Sequence, residues 1–352
     1  MNDEINLDKI VLTAIETEMK CKNYLMLKSH GIDIISDYYY VDEDFAVITF
    51  SRNEDKMTIR VENQECIVCV ENHVVKGLDE LLDGGLYEGL YIVGAISSLG
   101  KTTLVTQIAD QIAEQGFDVL IISLEMARNE IIAKSISRNT IVEVIHSGGN
   151  TRNAKTVRGI TTGRKYPNYS ETELELIKTA INNYGKFADH IFIVEGIGNI
   201  GFKEVRTMVE KHIQYTGNTP ILIIDYIQIL APSNERATDK QNTDKAVLEL
   251  KRISRDFKMP VIGISSFNRD NYNNPVGMQS FKESGAIEYS SDVLIGLQFK
   301  GVGESGFDAN EAKARNPREV ELVILKNRNG QTGTKLEFDF YAMFNFFEER
   351  NK

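Results

Sequence analysis

Cysteine is scarce. Three in 352 residues cannot make a fully paired disulfide framework, which fits a reducing compartment and predicts a cytoplasmic location. No apolar run is long enough to cross a bilayer; the best, Ile221 to Leu230, is broken by Asp225, so no membrane partner is expected. The N-terminus, Met1-Asn-Asp-Glu, is acidic and lacks the apolar core of a secretory signal. Positive charge is also short: 40 Lys and Arg against 51 Asp and Glu leave a net charge of −11. That counts against a protein coated in basic residues to grip nucleic acid, while a local basic channel stays compatible with it. What remains is an ordinary globular composition, 42% apolar and 26% charged, in a chain long enough for a sizeable core and two or three domains.

The stretch with most to say runs from Gly85 to Met126. Leu90 to Ile96 is a short apolar run of the kind buried in a parallel sheet. Ala95-Ile-Ser97-Ser98-Leu99-Gly100-Lys101-Thr102-Thr103 overlaps its end as a phosphate-binding loop. Leu104, Val105, Ile108, Ala109, Ile112 and Ala113 then recur at helical spacing until Gly116. A nucleoside triphosphate needs inward-facing amides, a helix N-terminus and a lysine on the outer phosphates, with a hydroxyl beside it for magnesium. Lys101 and Thr102 fill the last two roles. The first glycine of the usual pattern is replaced by Ala95, with Gly94 one place earlier. These readings predict ATP and Mg2+ as ligands. An isolated G-K-T triplet means little, but one between a buried strand and an amphipathic helix is specific.

Further strands are expected at Asp118–Met126, Ile191–Glu195, within the stretch Pro220–Leu230 where four apolar residues lead to Asp225 at the strand's end, and at Pro260–Ser265, with helices at 127–138, 172–188 and around 205–213 and 246–253. The basic, Gly- and Ser-rich stretch Ser147 to Arg164 reads as a long mobile surface loop. Glu125 and Asp225 stand at strand ends, where ligands bind in open α/β sheets. Asp225 suits the magnesium side, because a buried strand rarely carries an unpaired carboxylate. Glu125 could polarise an attacking water or simply face solvent. Gly196-Ile-Gly198-Asn-Ile-Gly201 is a formal dinucleotide fingerprint, discounted because a phosphate site already occupies the same sheet. Residues 1–75 read as a small α+β accessory segment, with a helix over 7–19 and strands at 45–50, 57–61 and 67–70. Cys66 and Cys69, with His73 and Cys21, are candidate zinc ligands. A β-branched strand between the two cysteines would turn them to opposite faces, so buried thiols are favoured.

The order of these motifs resembles the ATPase domain of the DnaB-type replicative helicases. The marks are AISSLGKTT, SLEM at Ser123–Met126, IIDYIQIL around Asp225, ISSFNR at Ile264–Arg269, KESGAIEYSSD at Lys282–Asp292 and KNRNGQTG at Lys326–Gly333. The resemblance implies a RecA-like P-loop core over 76–352, a mostly parallel α/β sheet flanked by helices, and a six-membered ring. It implies Glu125 as catalytic base, Asp225 with Thr102 on the metal, and Lys326 and Arg328 as cations reaching into a neighbour's site. Lys282, Glu283 and Gly285 would follow single-stranded DNA in the ring's channel. Primase or a helicase loader is a further implied partner.

The sequence departs from the family twice. Ser266 stands where the family has glutamine, and the short α+β segment stands where it has an all-helical collar. Such reduced forms look like modules carried by phages or mobile elements. The expected function is an ATP-driven helicase. The alternatives are a RadA-like or recombinase-like filament ATPase, and an ATP-gated DNA-binding or assembly module that does not unwind.

Overall fold

In the computed structural model the chain forms two compact units, Met1–Glu88 and Gly89–Lys352. The structure describes residues 76–350, except 83, 197–199, 233–235, 268–272 and 282–284, together with the backbone of four short strands within 38–65. Those strands, β1 (Tyr38–Tyr39), β2 (Ile48–Phe50), β3 (Met57–Val61) and β4 (Gln64–Glu65), pair antiparallel in chain order. The expected strand at 57–61 is present and the one at 45–50 is shorter. The first helix described is α1 (Lys76–Leu81). The helix expected at 7–19, the strand at 67–70, and Cys21, Cys66, Cys69 and His73 lie outside the described residues.

The larger unit is built on a nine-stranded sheet. Its parallel strands are β5 (Gly89–Ala95), β6 (Val119–Ser123), β7 (Ile191–Glu195), β8 (Ile221–Asp225), β9 (Pro260–Ser266) and β10 (Val293–Phe299). Three antiparallel strands extend one edge: β11 (Arg318–Asn327), β12 (Lys335–Tyr341) and β13 (Phe346–Glu349). The order across the sheet is β13-β12-β11-β10-β5-β9-β8-β6-β7. β5, β6, β8 and β10 are buried along their whole length, as continuous apolar runs in a parallel sheet require.

The strand order fixes which face each helix covers. From β5 to β6 and on to β7 the chain steps toward one edge; from β7 through β8 and β9 to β10 it steps back. Right-handed crossovers therefore put α2 (Lys101–Glu114), α3 (Arg128–His146), α4 (Val157–Thr161) and α5 (Glu171–Gly185) on one face. They put α6 (Phe202–Thr216), α7 (Asp239–Phe257) and α8 (Gly285–Ser290) on the other. A last short helix, α9 (Ala309–Ala314), precedes β11. Helix α2 is clamped to the edge hairpin: the Gln107 amide donates to the Phe347 carbonyl at 2.7 Å and accepts from the Phe347 N–H at 2.9 Å.

Two expectations are corrected. The helix begun at Ala127 does not stop at Arg138 but runs to His146, because Ile141 and Val144 continue its apolar stripe onto Ala154 and Phe346. The stretch 147–164 is not an irregular loop. It folds into 3-10 turns at Thr151–Asn153 and Gly163–Asn168 around α4, capped by Asn150 and Thr156.

Candidate nucleotide site

The carboxyl end of β5 runs directly into the phosphate loop and α2. Ser98 (φ 65°) and Gly100 (φ 96°) are both left-handed, a backbone that turns successive N–H groups into one concavity. Gly100 caps α2 with no side-chain hydrogen bond, so no side chain takes the first amides of the helix away from an anion. The side chains of Ser97 and Ser98 are exposed, while Leu99 is fully buried and pins the loop.

Packing explains the substituted first glycine. A Cβ on Gly94 would stand 2.3–2.4 Å from the rings of Phe267 and Phe281, and one on Gly100 2.7–2.9 Å from Phe340 and Phe347. Those two positions must be glycine. Ala95 ends the strand with its methyl group fully buried, where a Cβ is accommodated.

Four predicted residues meet here. The Lys101 ammonium donates to the loop carbonyls of Ala95 (3.2 Å) and Ile96 (3.3 Å). Burial holds it below the ordinary lysine range, against the pull of Asp225 and Glu125. The Thr102 hydroxyl donates to Asp225 Oδ2 at 3.0 Å. Burial pushes the Asp225 carboxyl up to about 6, opposed by the Thr102 hydrogen bond and the nearby lysines and reinforced by Glu125. Asp225 Oδ1 is buried without a hydrogen-bond partner. Glu125 lies two residues past the end of β6, exposed, with its charge acting on both Lys101 and Asp225.

The donor set fits magnesium. Asp225 supplies an unsatisfied carboxylate oxygen beside the Thr102 hydroxyl, the kind of pair that holds a hard cation shared with phosphates. Among the described residues no group of three or more His, Cys, Asp or Glu could hold a metal by itself, as expected where phosphates and water complete the shell.

Lys326 and Arg328 stand apart from this cluster. Both lie at the end of β11, which is antiparallel to β10 and hence to β5. The Arg328 N–H donates to the Asp292 carbonyl, and the Asp292 N–H to Leu90. Arg328 is thus level with the start of β5, about 16 Å along the strand direction from Ala95. Its guanidinium pairs with Asp292 at 3.1 Å. The Lys326 ammonium donates to the carbonyls of Glu288 (2.7 Å), Tyr289 (3.3 Å) and Ser291 (2.6 Å). The connection they open bends at 328–330 and carries a left-handed Gly333, φ 80°. Gly285 begins α8, whose Ala286 N–H donates to Asp244 at 3.2 Å; Lys282 and Glu283 lie outside the described residues.

Residues 72–349 match the family model described as DnaB-like helicase C terminal domain. The chain belongs to that family. Relatives include "Replicative DNA helicase DnaB" from Geobacillus stearothermophilus, 27% identical over 278 residues, and its namesake from Leifsonia xyli, 26% over 277; each alignment covers 77% of this chain and 54% of the relative. The chain thus spans about half the length of the curated relatives it matches. Two solved structures share the fold. One, described as an "ATPase Domain", has a TM-score of 0.65 at 19% identity, covering 78% of this chain and 89% of that one. The other, "The Structure Of A DnaB-Like Replicative Helicase And Its Interactions With Primase", has a TM-score of 0.64 at 20% identity, covering 77% and 59%. The sheet is that of a DnaB-like, RecA-type ATPase domain, as expected. Among the described residues no helix is long and apolar enough to cross a membrane.

Three further residues that touch or flank this DnaB-like site carry no mark of it in the sequence. Lys134 on α3 donates to Thr103 Oγ1 (3.3 Å) and Asn345 Oδ1 (3.2 Å), with its charge facing Asp225, Glu130 and Glu125. A lysine on a mostly polar helix gave no sign of this. Thr103 therefore turns its hydroxyl into the fold. Gln228 donates to Ser265 Oγ at 2.8 Å, beside Ser266, which pairs in register with Ala95. Arg318 donates to the Ser98 carbonyl at 3.3 Å from the near end of β11.

Proposed function

We propose that the chain is an ATP-driven motor that translocates on single-stranded DNA and separates duplex during replication, working as a homo-oligomeric ring, six-membered by family resemblance. ATP sits on the loop Ala95–Thr103. Lys101 meets its outer phosphates, Thr102 and Asp225 hold Mg2+, and Glu125 polarises the attacking water. The bound metal screens charge on the phosphates. Lys326 and Arg328 serve the neighbouring subunit's site, where charge building on the γ-phosphate needs a cation. Lys282, Glu283 and Gly285 follow the strand's backbone, one set per subunit, so a ring multiplies few cations into many phosphate contacts despite the acidic total. Primase or a helicase loader is a further partner of such a ring, and residues 1–75 are an accessory segment.

One observation carries this reading: the two cations lie at the other end of the sheet from their own phosphate loop, about 16 Å along the strand direction from Ala95, so at an ATP site they can serve only another copy. The test is ATP hydrolysis with and without single-stranded DNA, alongside opening of a forked duplex. Stimulated hydrolysis and an opened fork, both lost in Lys101→Ala and Arg328→Ala, support the motor. DNA binding that switches with ATP while the fork stays closed would instead mean an assembly module. Particle images with a non-hydrolysable nucleotide separate a ring from a filament.

A further inference from the structure

The segment 147–170, on the α3–α5 face, carries Arg152, Lys155, Arg158, Arg164 and Lys165 and no Asp or Glu, in a chain whose net charge is −11. Lys155 is the structural member. It is buried, paired with Glu173, and its ammonium lies 4.6 Å from the Tyr169 ring centre. Its backbone is held by Ser137 (2.7 Å) and Thr140 (2.9 Å) on α3.

The segment is tied to itself. The Tyr166 hydroxyl donates to the Ile160 carbonyl at 2.7 Å and the Tyr169 hydroxyl to Gly159 at 2.9 Å, with the two rings 5.6 Å apart. These ties fold the Gly163–Asn168 turn back onto α4. Arg158, Arg164 and Lys165 are thereby gathered on one small unit, spanning no more than about 15 Å at helical rise per residue.

Arg152, Arg158, Arg164 and Lys165 are all exposed, and none has a carboxylate partner among the described residues. Elsewhere in this unit some exposed cations are paired, as Lys178 with Glu175 and Arg315 with Glu319, and others, such as Lys203, Lys240 and Arg255, form no ion pair among the described residues; what sets this segment apart is that its cations are gathered together. A cluster left unpaired in an acidic protein, on a rigid scaffold, is a local site for a polyanion.

We propose that this face grips the backbone of double-helical DNA outside the strand-binding channel. The proposal rests on the reading that the chain works on DNA. The sheet separates this segment from α8, on the opposite face, so the two would meet different stretches of nucleic acid. About 15 Å of duplex carries on the order of nine phosphates, ample for these cations. An acidic peptide fits less well: apart from Pro167 the segment exposes no apolar side chain for a peptide to bury.

The test compares wild type with the triple variant Arg158→Glu, Arg164→Glu, Lys165→Glu, whose native side chains make no hydrogen bond or ion pair among the described residues. The probe is a short duplex closed by a hairpin at each end, which a ring cannot thread. Its affinity is read by fluorescence anisotropy across a salt series, with polyglutamate as competitor. The expected result is at least tenfold weaker binding in the variant and a log–log salt slope shallower by about 2–3. ATP turnover at saturating oligo-dT, and the melting temperature, stay unchanged. Equal affinity and slope in the two proteins would overturn the proposal. So would wild-type binding to polyglutamate tighter than to duplex and lost in the variant, which would make the partner an acidic protein. The duplex readout is independent of hydrolysis, so a chain that binds the closed duplex yet never responds to oligo-dT would sink the motor and leave this face standing.

Discussion

The Thr102 hydroxyl donates to one carboxylate oxygen of Asp225 at 3.0 Å, while the other oxygen is buried with no hydrogen-bond partner. A charged oxygen in that position is costly unless a cation or a proton meets it. The carboxyl pushed up to about 6 and the fit of this pair to the proposed magnesium ion are two consequences of one arrangement.

A pH dependence follows for the nucleotide-free protein. The folded value of Asp225, about 6, lies above the ordinary aspartate value of 3.8, so between the two the native state keeps a proton that the unfolded chain has released. Stability contributed by this group therefore falls as pH rises from about 4 through about 6, by up to roughly 3 kcal/mol. Melting curves of wild type and Asp225→Asn over that range measure it. The wild type should lose ground against the variant as pH rises, and Mg2+ with ATP should reverse the order at neutral pH. Parallel curves would mean that Asp225 is already satisfied.

Glycine and alanine around the loop should not be interchangeable. Gly94→Ala drives a methyl group into Phe267 and Phe281 and should cost about 1–3 kcal/mol by overpacking, part of it recovered by Phe281→Leu. Gly100→Ala adds a left-handed backbone strain to the clash with Phe340 and Phe347 and should abolish nucleotide binding. Ala95→Gly, which restores the generic motif, should leave nucleotide affinity within about twofold and lower stability by about 1 kcal/mol. Fluorescent-nucleotide titration with denaturant unfolding reads all three.

Much of the fold is legible in the sequence because its signals are local. β7 matches its expected span to the residue, and β5, β6, β8 and β9 within a few, since buried parallel strands are short apolar runs and chain order constrains their crossovers. Lys101, Thr102 and Asp225 can be read because each sits at a strand or helix end, where position implies direction. Lys134 cannot: its partners Thr103 and Asn345 are 31 and 211 residues away, and nothing in helical spacing announces a contact at that range. The stretch 147–164 misleads for a related reason. Its Gly, Ser and Asn content resembles a loop, but the Tyr166 and Tyr169 hydroxyls that order it act on backbone carbonyls, which leave no mark in sequence.

Lys134 should matter to turnover more than to folding. Its ammonium is held by neutral groups and faces the Asp225 and Glu125 carboxylates, adding positive field where negative phosphates must sit. Lys134→Met should lower kcat for ATP about tenfold, roughly 1.4 kcal/mol of barrier. Lys134→Arg should restore most of it. A methionine variant with unchanged kcat and a lowered melting temperature would reduce the residue to a packing role.

The proposed supply of Arg328 across an interface makes a prediction no single-subunit site can meet. Lys101→Ala removes the cation on the phosphate loop, and Arg328→Ala the one offered to the neighbour; each alone should cut kcat by about 10³-fold or more. A heterologous interface takes different surfaces from its two sides, so a mixed ring contains some interfaces pairing an intact Lys101 with an intact Arg328. Mixing the two dead proteins, with subunit exchange allowed, should therefore restore turnover, rising to a maximum near equal amounts. Chemical cross-linking that blocks exchange before mixing should prevent recovery. If exchange is shown by native mass and turnover stays flat at every ratio, Arg328 does not act on the neighbour, and its pairing with Asp292 at 3.1 Å is its whole role.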